Sequence, residues 1–222
     1  MKSEGVKSDM TWPDPVAAAY GELLQRLDAW FGEASDRHPG VIPCRTGCSA
    51  CCHGPFDISV ADALLVRDAV RRLPDEQVQD VRRRAAGQVE RMRRLEPRWK
   101  MESGIGGLEE SAFDDLIEAM AEEPCPLLSE DGDCRIYENR PLVCRMMGLG
   151  IITPTGRVIE NACPIAGEFL DYERLPPQPL DLEALEDLEV ACLEAASVEL
   201  FNNPNQNGFE TTIALTIVTM HR

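Results

Sequence analysis

The sequence predicts a mainly α-helical fold, with cysteine-rich loops between the helices and one small β-hairpin. Three observations carry this. Apolar residues recur at helical spacing in five separate stretches, proline and glycine punctuate those stretches, and eight of the nine cysteines gather outside them in two groups. At 222 residues the chain is long enough to bury a sizeable core, and folding at this size hides roughly 70–75% of the unfolded surface. A single domain is expected over 13–222, behind a polar and frayed segment at 1–12.

The first helix is expected after Asp14-Pro15, where Val16, Ala19, Leu23, Leu27, Trp30 and Phe31 fall on one face, and it ends near Pro39-Gly40. Pro43, Gly47, Gly54 and Pro55 make the next stretch a loop. Ser59 reads as an N-cap with Asp62 three residues on, a carboxylate variant of the capping box. That second helix carries Val60, Ala63, Leu64 and Val70 and stops at Leu73-Pro74. A third runs from Pro74 to Leu95 with a narrow stripe of Val78, Val81, Ala85, Val89 and Met92, so its arginines face solvent or an acidic neighbour. Residues 97–109 read as a flexible connection. A fourth helix over roughly 110–121 presents Phe113, Leu116, Ile117 and Met120, and a short helical turn is expected within 136–147.

The hairpin is expected from Leu149–Ile152 through Pro154-Thr155-Gly156 to Arg157–Glu160. A proline-rich crossing at Pro176, Pro177 and Pro179 leads into a last strong helix from about Leu182 to Phe201, with Leu185, Leu188, Cys192, Ala195 and Leu200 as its stripe. Residues 211–220 are β-branched and suit either strand or helix. Cys192 reads as a small core residue.

The first cysteine group is Cys44, Cys48, Cys51 and Cys52; the second is Cys125, Cys134, Cys144 and Cys163. Four thiols within nine residues are not a core pattern, since a helix or strand would scatter them over several faces. Thiolate is a metal ligand, and a four-cysteine set suits zinc or an iron–sulfur cluster, so the count alone does not name the metal. The two groups are expected to converge on a metal centre. Cys51 and Cys52 are sequence neighbours with Cα atoms about 3.8 Å apart, and extended backbone would point their side chains to opposite sides. Either the pair bridges two centres, or one ligates while the other packs.

Cys125 and Cys163 each precede proline, which holds the cysteine in extended backbone. Arg45, Arg135 and Arg145 each follow a cysteine, and Arg140 stands between Cys134 and Cys144. These four are candidate cofactor-binding residues, offsetting thiolate charge and donating hydrogen bonds to sulfur. His53 could serve as a nitrogen ligand, although eight thiols make a sulfur-only site simpler.

These residues together resemble a known family. The run Cys44-Cys48-Cys51-Cys52, then Cys125-Pro126-Leu127, Cys134-Arg135-Ile136-Tyr137, Arg140-Pro141, Cys144-Arg145 and Cys163-Pro164, is similar to the CxxCxxCC domain family, named for zinc or iron chelation. The resemblance covers roughly 44–164 and departs from the pattern at one point, three residues rather than two separating Cys44 from Cys48. It implies eight metal-binding cysteines and no particular reaction. The spacing Cys44-x3-Cys48-x2-Cys51 also matches the cluster motif of radical S-adenosylmethionine enzymes, but no alternating βα pattern follows it.

The formal net charge is −17, which speaks against nonspecific nucleic-acid binding. Charge is segregated: 67–100 hold 11 basic residues against 6 acidic, and 101–222 hold 6 against 24. The basic helix therefore lies against acidic parts of its own chain or docks an acidic protein partner. The N-terminal stretch has no secretory pattern and no apolar run spans a membrane, so reduced thiols in the cytoplasm are expected. Two roles remain open: a metal-binding protein, structural or metal-handling, or an iron–sulfur enzyme of redox or methyltransferase type. Phosphate-loop, serine-elbow and HExxH patterns are absent.

Overall fold

The computed structural model describes residues 14–219; the segment read as frayed, 1–12, lies outside the described residues. Helix α1 spans Asp14–Arg37, and it buries Tyr20, Leu23, Leu24, Leu27, Trp30 and Ala34; of the expected stripe, Leu23, Leu27 and Trp30 are buried, Val16 and Phe31 half-buried, and Ala19 faces solvent. It packs on α7, Leu182–Phe201, and on the short α5, Leu142–Met146.

Helix α2, Val60–Arg71, begins at the Ser59 cap, whose Oγ accepts from Asp62 N at 3.2 Å. Only half of the expected capping box forms. The Asp62 carboxylate does not turn back to Ser59; it accepts from Tyr20 Oη at 2.8 Å and from Leu142 N at 3.0 Å. A helix-capping residue thus becomes a buried bracket between α1, α2 and α5.

Helix α3, Asp75–Leu95, buries Val81, Ala85, Val89 and Met92, as the narrow stripe requires. Its partner is α8, Ile213–Thr219, in which Ile213 to Ile217 are all buried. An element apolar all round belongs at the centre of a core. Several arginines of α3 find carboxylates within the chain: Arg83 on Asp80, Arg93 and Arg94 on Glu90, and Arg91 on Glu123 at 3.0 Å.

The ambiguous tail resolves into both alternatives. Strand β5, Glu210–Thr212, pairs antiparallel with β1, Asp57–Ser59, and α8 follows at once. Thr212 is the pivot, its Oγ1 accepting from Leu215 N at 3.0 Å as a cap. The hairpin is shorter than expected, β2 Ile151–Ile152 against β3 Val158–Ile159. The proline-rich crossing adds a parallel strand to it, β4, Gln178–Pro179. Proline is tolerated there because β4 lies at an edge. Helix α4 covers Glu110–Ala119 and α6 covers Leu170–Glu173.

The stretch expected as a flexible connection winds instead into a 3-10 turn over Met101–Gly107, packed on β5. Trp99 is buried and donates from Nε1 to Gly104 O at 2.7 Å. Gly104 has φ +60, and a Cβ there would overlap Glu210 O and meet the Phe209 ring at 3.0 Å. Among the described residues no helix is long and apolar enough to cross a membrane.

These placements predict opposite outcomes for two glycines. Gly104→Ala must displace backbone and should lower Tm strongly, by several kcal/mol of stability, whereas Gly87→Ala, in open space within α3, should stabilise by about 0.5–1 kcal/mol. Thermal melts of the two variants check this; a neutral Gly104→Ala would contradict the packing of the turn on β5.

Candidate metal centre

Backbone geometry brings the two cysteine groups together. Cys125 N donates to Cys52 O at 2.9 Å and Gly54 N to Glu123 O at 2.7 Å, and His53 and Pro124 form an antiparallel bridge. The second loop is folded on itself by Arg135 N to Leu127 O at 3.0 Å and the Leu128–Cys134 bridge. Pro126 is buried beside Cys125, in keeping with a rigid start to that loop.

As a result seven of the eight cysteines, Cys44, Cys48, Cys51, Cys52, Cys125, Cys134 and Cys144, line one cavity of about 120 Å³. Phe31, Phe56, Leu127, Tyr137 and Ile213 supply much of the remaining wall. The eighth, Cys163, lies outside that lining but close to Cys44, whose thiolate it disfavours. All nine cysteines are free thiols. His53 does not line the cavity, and Cys192 is buried within the core, at 5% exposure.

Burial pushes Cys44 and Cys125 up to about 12, and it also raises Cys134 and Cys144. Cys51 behaves differently. It is pulled down to about 7 by a hydrogen bond from the Cys52 thiol, which correspondingly keeps its own proton. The expectation that these neighbours point apart fails, because Cys52 N closes a turn on Ser49 O at 2.9 Å and the backbone is not extended. Ligands of this kind must release protons as metal enters.

The four candidate arginines take different places. Arg45, Arg140 and Arg145 line the cavity, while Arg135 does not and reaches Asp80 at 2.8 Å. The hydrogen bonds the structure gives them end on oxygen: Arg45 on Pro43 O, Arg140 on Asp28 and Tyr137 O, and Arg145 on Asp28, Arg140 O and Glu138 O. Arg140 also stands over the Tyr137 ring at 4.3 Å and favours the Cys134 thiolate through space. Where an arginine of this set bears on a thiol, as Arg140 does on Cys134, it does so through space.

Three positions escaped the sequence reading. Arg84, from the arginine run of α3, donates to the carbonyls of Leu128 and Cys125 and favours the Cys125 thiolate. Tyr172 is buried, donates to Gly148 O at 2.5 Å and brings its hydroxyl within 3.7 Å of Cys44 Sγ. Gly148, with φ +99, lets the chain pass Cys44, since a Cβ there would run into the sulfur. Arg84 and Tyr172 carry no local motif; only a buried polar side chain's need for partners could have flagged them.

Among the described residues no three His, Cys, Asp or Glu donors stand ready to close on one ion. The sulfurs ring a space rather than a point. Residues 43–164 match the model of the CxxCxxCC family, described as a "putative zinc- or iron-chelating domain". No curated protein and no solved structure matches the chain.

Asp62 yields a pH prediction at the edge of this site. Burial raises its carboxyl to about 7, against the lowering effect of its bonds from Leu142 N and Tyr20. Unfolded, the group titrates near 3.9. Its folded form therefore binds the proton more tightly, so the stability it gives is full below about pH 4 and lost as pH rises through about 7. Asp62→Asn keeps an acceptor oxygen and should gain a few kcal/mol relative to the parent between those limits. Melting curves from pH 4.5 to 8 measure it, and a constant difference across the range would refute it.

Proposed function

The chain belongs to the CxxCxxCC family, and on that premise we propose that it holds iron as an iron–sulfur centre through the cysteines of the cavity, in a structural or metal-handling role. One observation carries the choice of cluster over lone zinc: seven sulfurs line a single cavity, yet no three donors among the described residues converge on one point. Zinc binds thiolate at about 2.3 Å in a tetrahedron, which draws its sulfurs to within about 3.8 Å of one another. A cluster brings its own inorganic core and spreads its cysteines around it.

The donor chemistry fits. Thiolate sulfur suits iron clusters, and the wall is largely apolar, with cationic side chains behind the sulfurs at Arg84 and Arg140. The centre would supply one-electron chemistry or, if it remains unchanged, a cross-link between distant segments. Cys44, Cys125, Cys134 and Cys144 give up protons on loading, and the arginines balance the charge that replaces them.

A second reading, an iron–sulfur enzyme of redox or methyltransferase type, is favoured by the aromatic and apolar lining. Phe31, Phe56 and Tyr137 provide more wall than ligation needs.

Anaerobic purification with iron, zinc and acid-labile sulfide analysis tests the proposal. The expected product is brown, carries iron and sulfide, and loses both colour and a large part of its Tm when a chelator strips it. Colourless protein with stoichiometric zinc would replace the cluster with zinc, and protein free of any metal would end the metal-binding reading.

A further inference from the structure

We propose that Tyr172 is a positioning residue for the metal centre: its hydroxyl, anchored on the Gly148 carbonyl, holds the Cys44 sulfur at the cavity wall, so that the site reaches past the family segment into α6. This rests on the metal-binding reading above and adds to it a residue that is not itself a ligand.

Packing alone does not account for the burial of this tyrosine. Helix α6 is a single turn, Leu170–Glu173, in which Tyr172 is the one buried residue. Leu170 is 57% exposed and Phe169 beside it 43%, whereas Tyr172 is 1% exposed. A turn placed by the hydrophobic effect would bury its leucine and phenylalanine first. Tyr172 also belongs to neither of the two hydrophobic clusters that make up the core. A buried phenolic hydroxyl needs polar partners, and its partners here lie at the metal site.

Three groups meet at that point. Tyr172 Oη donates to Gly148 O at 2.5 Å and stands 3.7 Å from Cys44 Sγ. Gly148, buried and at φ +99, closes the triangle: a Cβ on it would lie 2.4 Å from Cys44 Sγ and 3.5 Å from the hydroxyl. Cys44 lines the cavity and neither Gly148 nor Tyr172 does, so both stand behind the sulfur. The turn that carries the ring is itself held by backbone, Tyr172 N donating to Phe169 O at 3.0 Å and Leu175 N to Tyr172 O at 3.1 Å.

A hydroxyl has one hydrogen and two lone pairs, so the same group can accept from a thiol or donate to a thiolate. Groups behind a metal ligand fix its orientation, and losing one typically costs about 10–100-fold in metal affinity. The family model matches 43–164, and Tyr172 falls after that segment. Chain outside the family pattern thus supplies the contact on Cys44.

Cadmium(II) titration of the full-length chain, freed of metal under anaerobic conditions, tests this through thiolate charge-transfer absorption and competition with a chelator. Tyr172→Phe keeps the ring and removes the hydroxyl. It should match the parent by circular dichroism, bind cadmium(II) about 10–100-fold more weakly and shift the charge-transfer band. In a Cys44→Ser background the same change should have no further effect, since the sulfur it acts on is gone. Unchanged affinity and band in Tyr172→Phe, or an equal loss with and without Cys44, overturns the proposal and leaves the tyrosine a packing residue. Should Tyr172→Phe fail to fold, the parent labelled with 3-fluorotyrosine decides. The chain has 3 tyrosines, so the Tyr172 fluorine resonance is assigned by elimination with Tyr20→Phe and Tyr137→Phe. It should move on cadmium(II) binding, and an unmoved line overturns the proposal. A parent that takes up no cadmium(II) ends the metal-binding reading and the proposal with it, whereas a parent that binds while Tyr172→Phe equals it ends the proposal alone.

Discussion

Where Cys52 O receives the Cys125 amide and Gly54 donates to Glu123 O, two segments far apart in sequence are held edge to edge. Everything about the sulfur cavity depends on that junction. Between its ends the chain makes a long excursion through α2, α3 and α4, and such a loop costs closure entropy that backbone hydrogen bonds alone repay poorly. The excursion is closed because α8 threads its apolar length against α3 and α2, and β5 pairs with β1 beside the junction. Core packing thus holds the thiols in place before any inorganic component is considered.

The electrostatics follow from the same enclosure. Thiols brought together in a partly dry cavity cannot all ionise, so burial keeps Cys44, Cys125, Cys134 and Cys144 protonated, whereas the Cys52 thiol pulls Cys51 down to about 7. The arginines around them are not loose counter-ions. Arg140 and Arg145 share the Asp28 carboxylate, and Arg145, at 4% exposure, also takes the carbonyls of Arg140 and Glu138. Such guanidinium groups hold the 138–145 segment that leads into α5 and carries Cys144. A buried cation satisfied by three acceptors is costly to remove, because its partners would be left unpaired.

How much of this the sequence reveals depends on the range over which each interaction acts. The α3 stripe, the Ser59 cap and the hairpin are local, and residue spacing shows them, whereas spacing misplaces Ala19 of α1 and Leu188 of α7, both of which face solvent. The 211–220 tail is ambiguous because β-branched residues suit both states; pairing with β1, a partner well over a hundred residues away, makes strand of its start, and the Thr212 cap lets helix follow. The stretch 97–109 looked like a connection because glycine weakens every local preference, while its order comes from Trp99 and from β5. Within the site, cysteine identity was legible and convergence could be argued, but Tyr172 and Arg84 act through contacts that no spacing encodes.

A final step concerns what the arrangement does mechanically. The cysteines are spread along the chain from the loop after α1, through the 125–134 turn and α5, to the segment after β3. Every helix from α2 to α5 therefore lies between Cys44 and Cys163, while α1 and α7 lie outside that stretch of chain and pack on α5 and α2. A metal-thiolate link closing such loops restricts the unfolded chain as a disulfide would, and binding energy becomes folding energy wherever the ligands are brought together only in the native state. Because the junction, α8 and the arginine clamps already gather the thiols, part of that ordering is done by the protein itself. A metal held by these cysteines would then tie together elements that the hydrophobic core has already placed side by side.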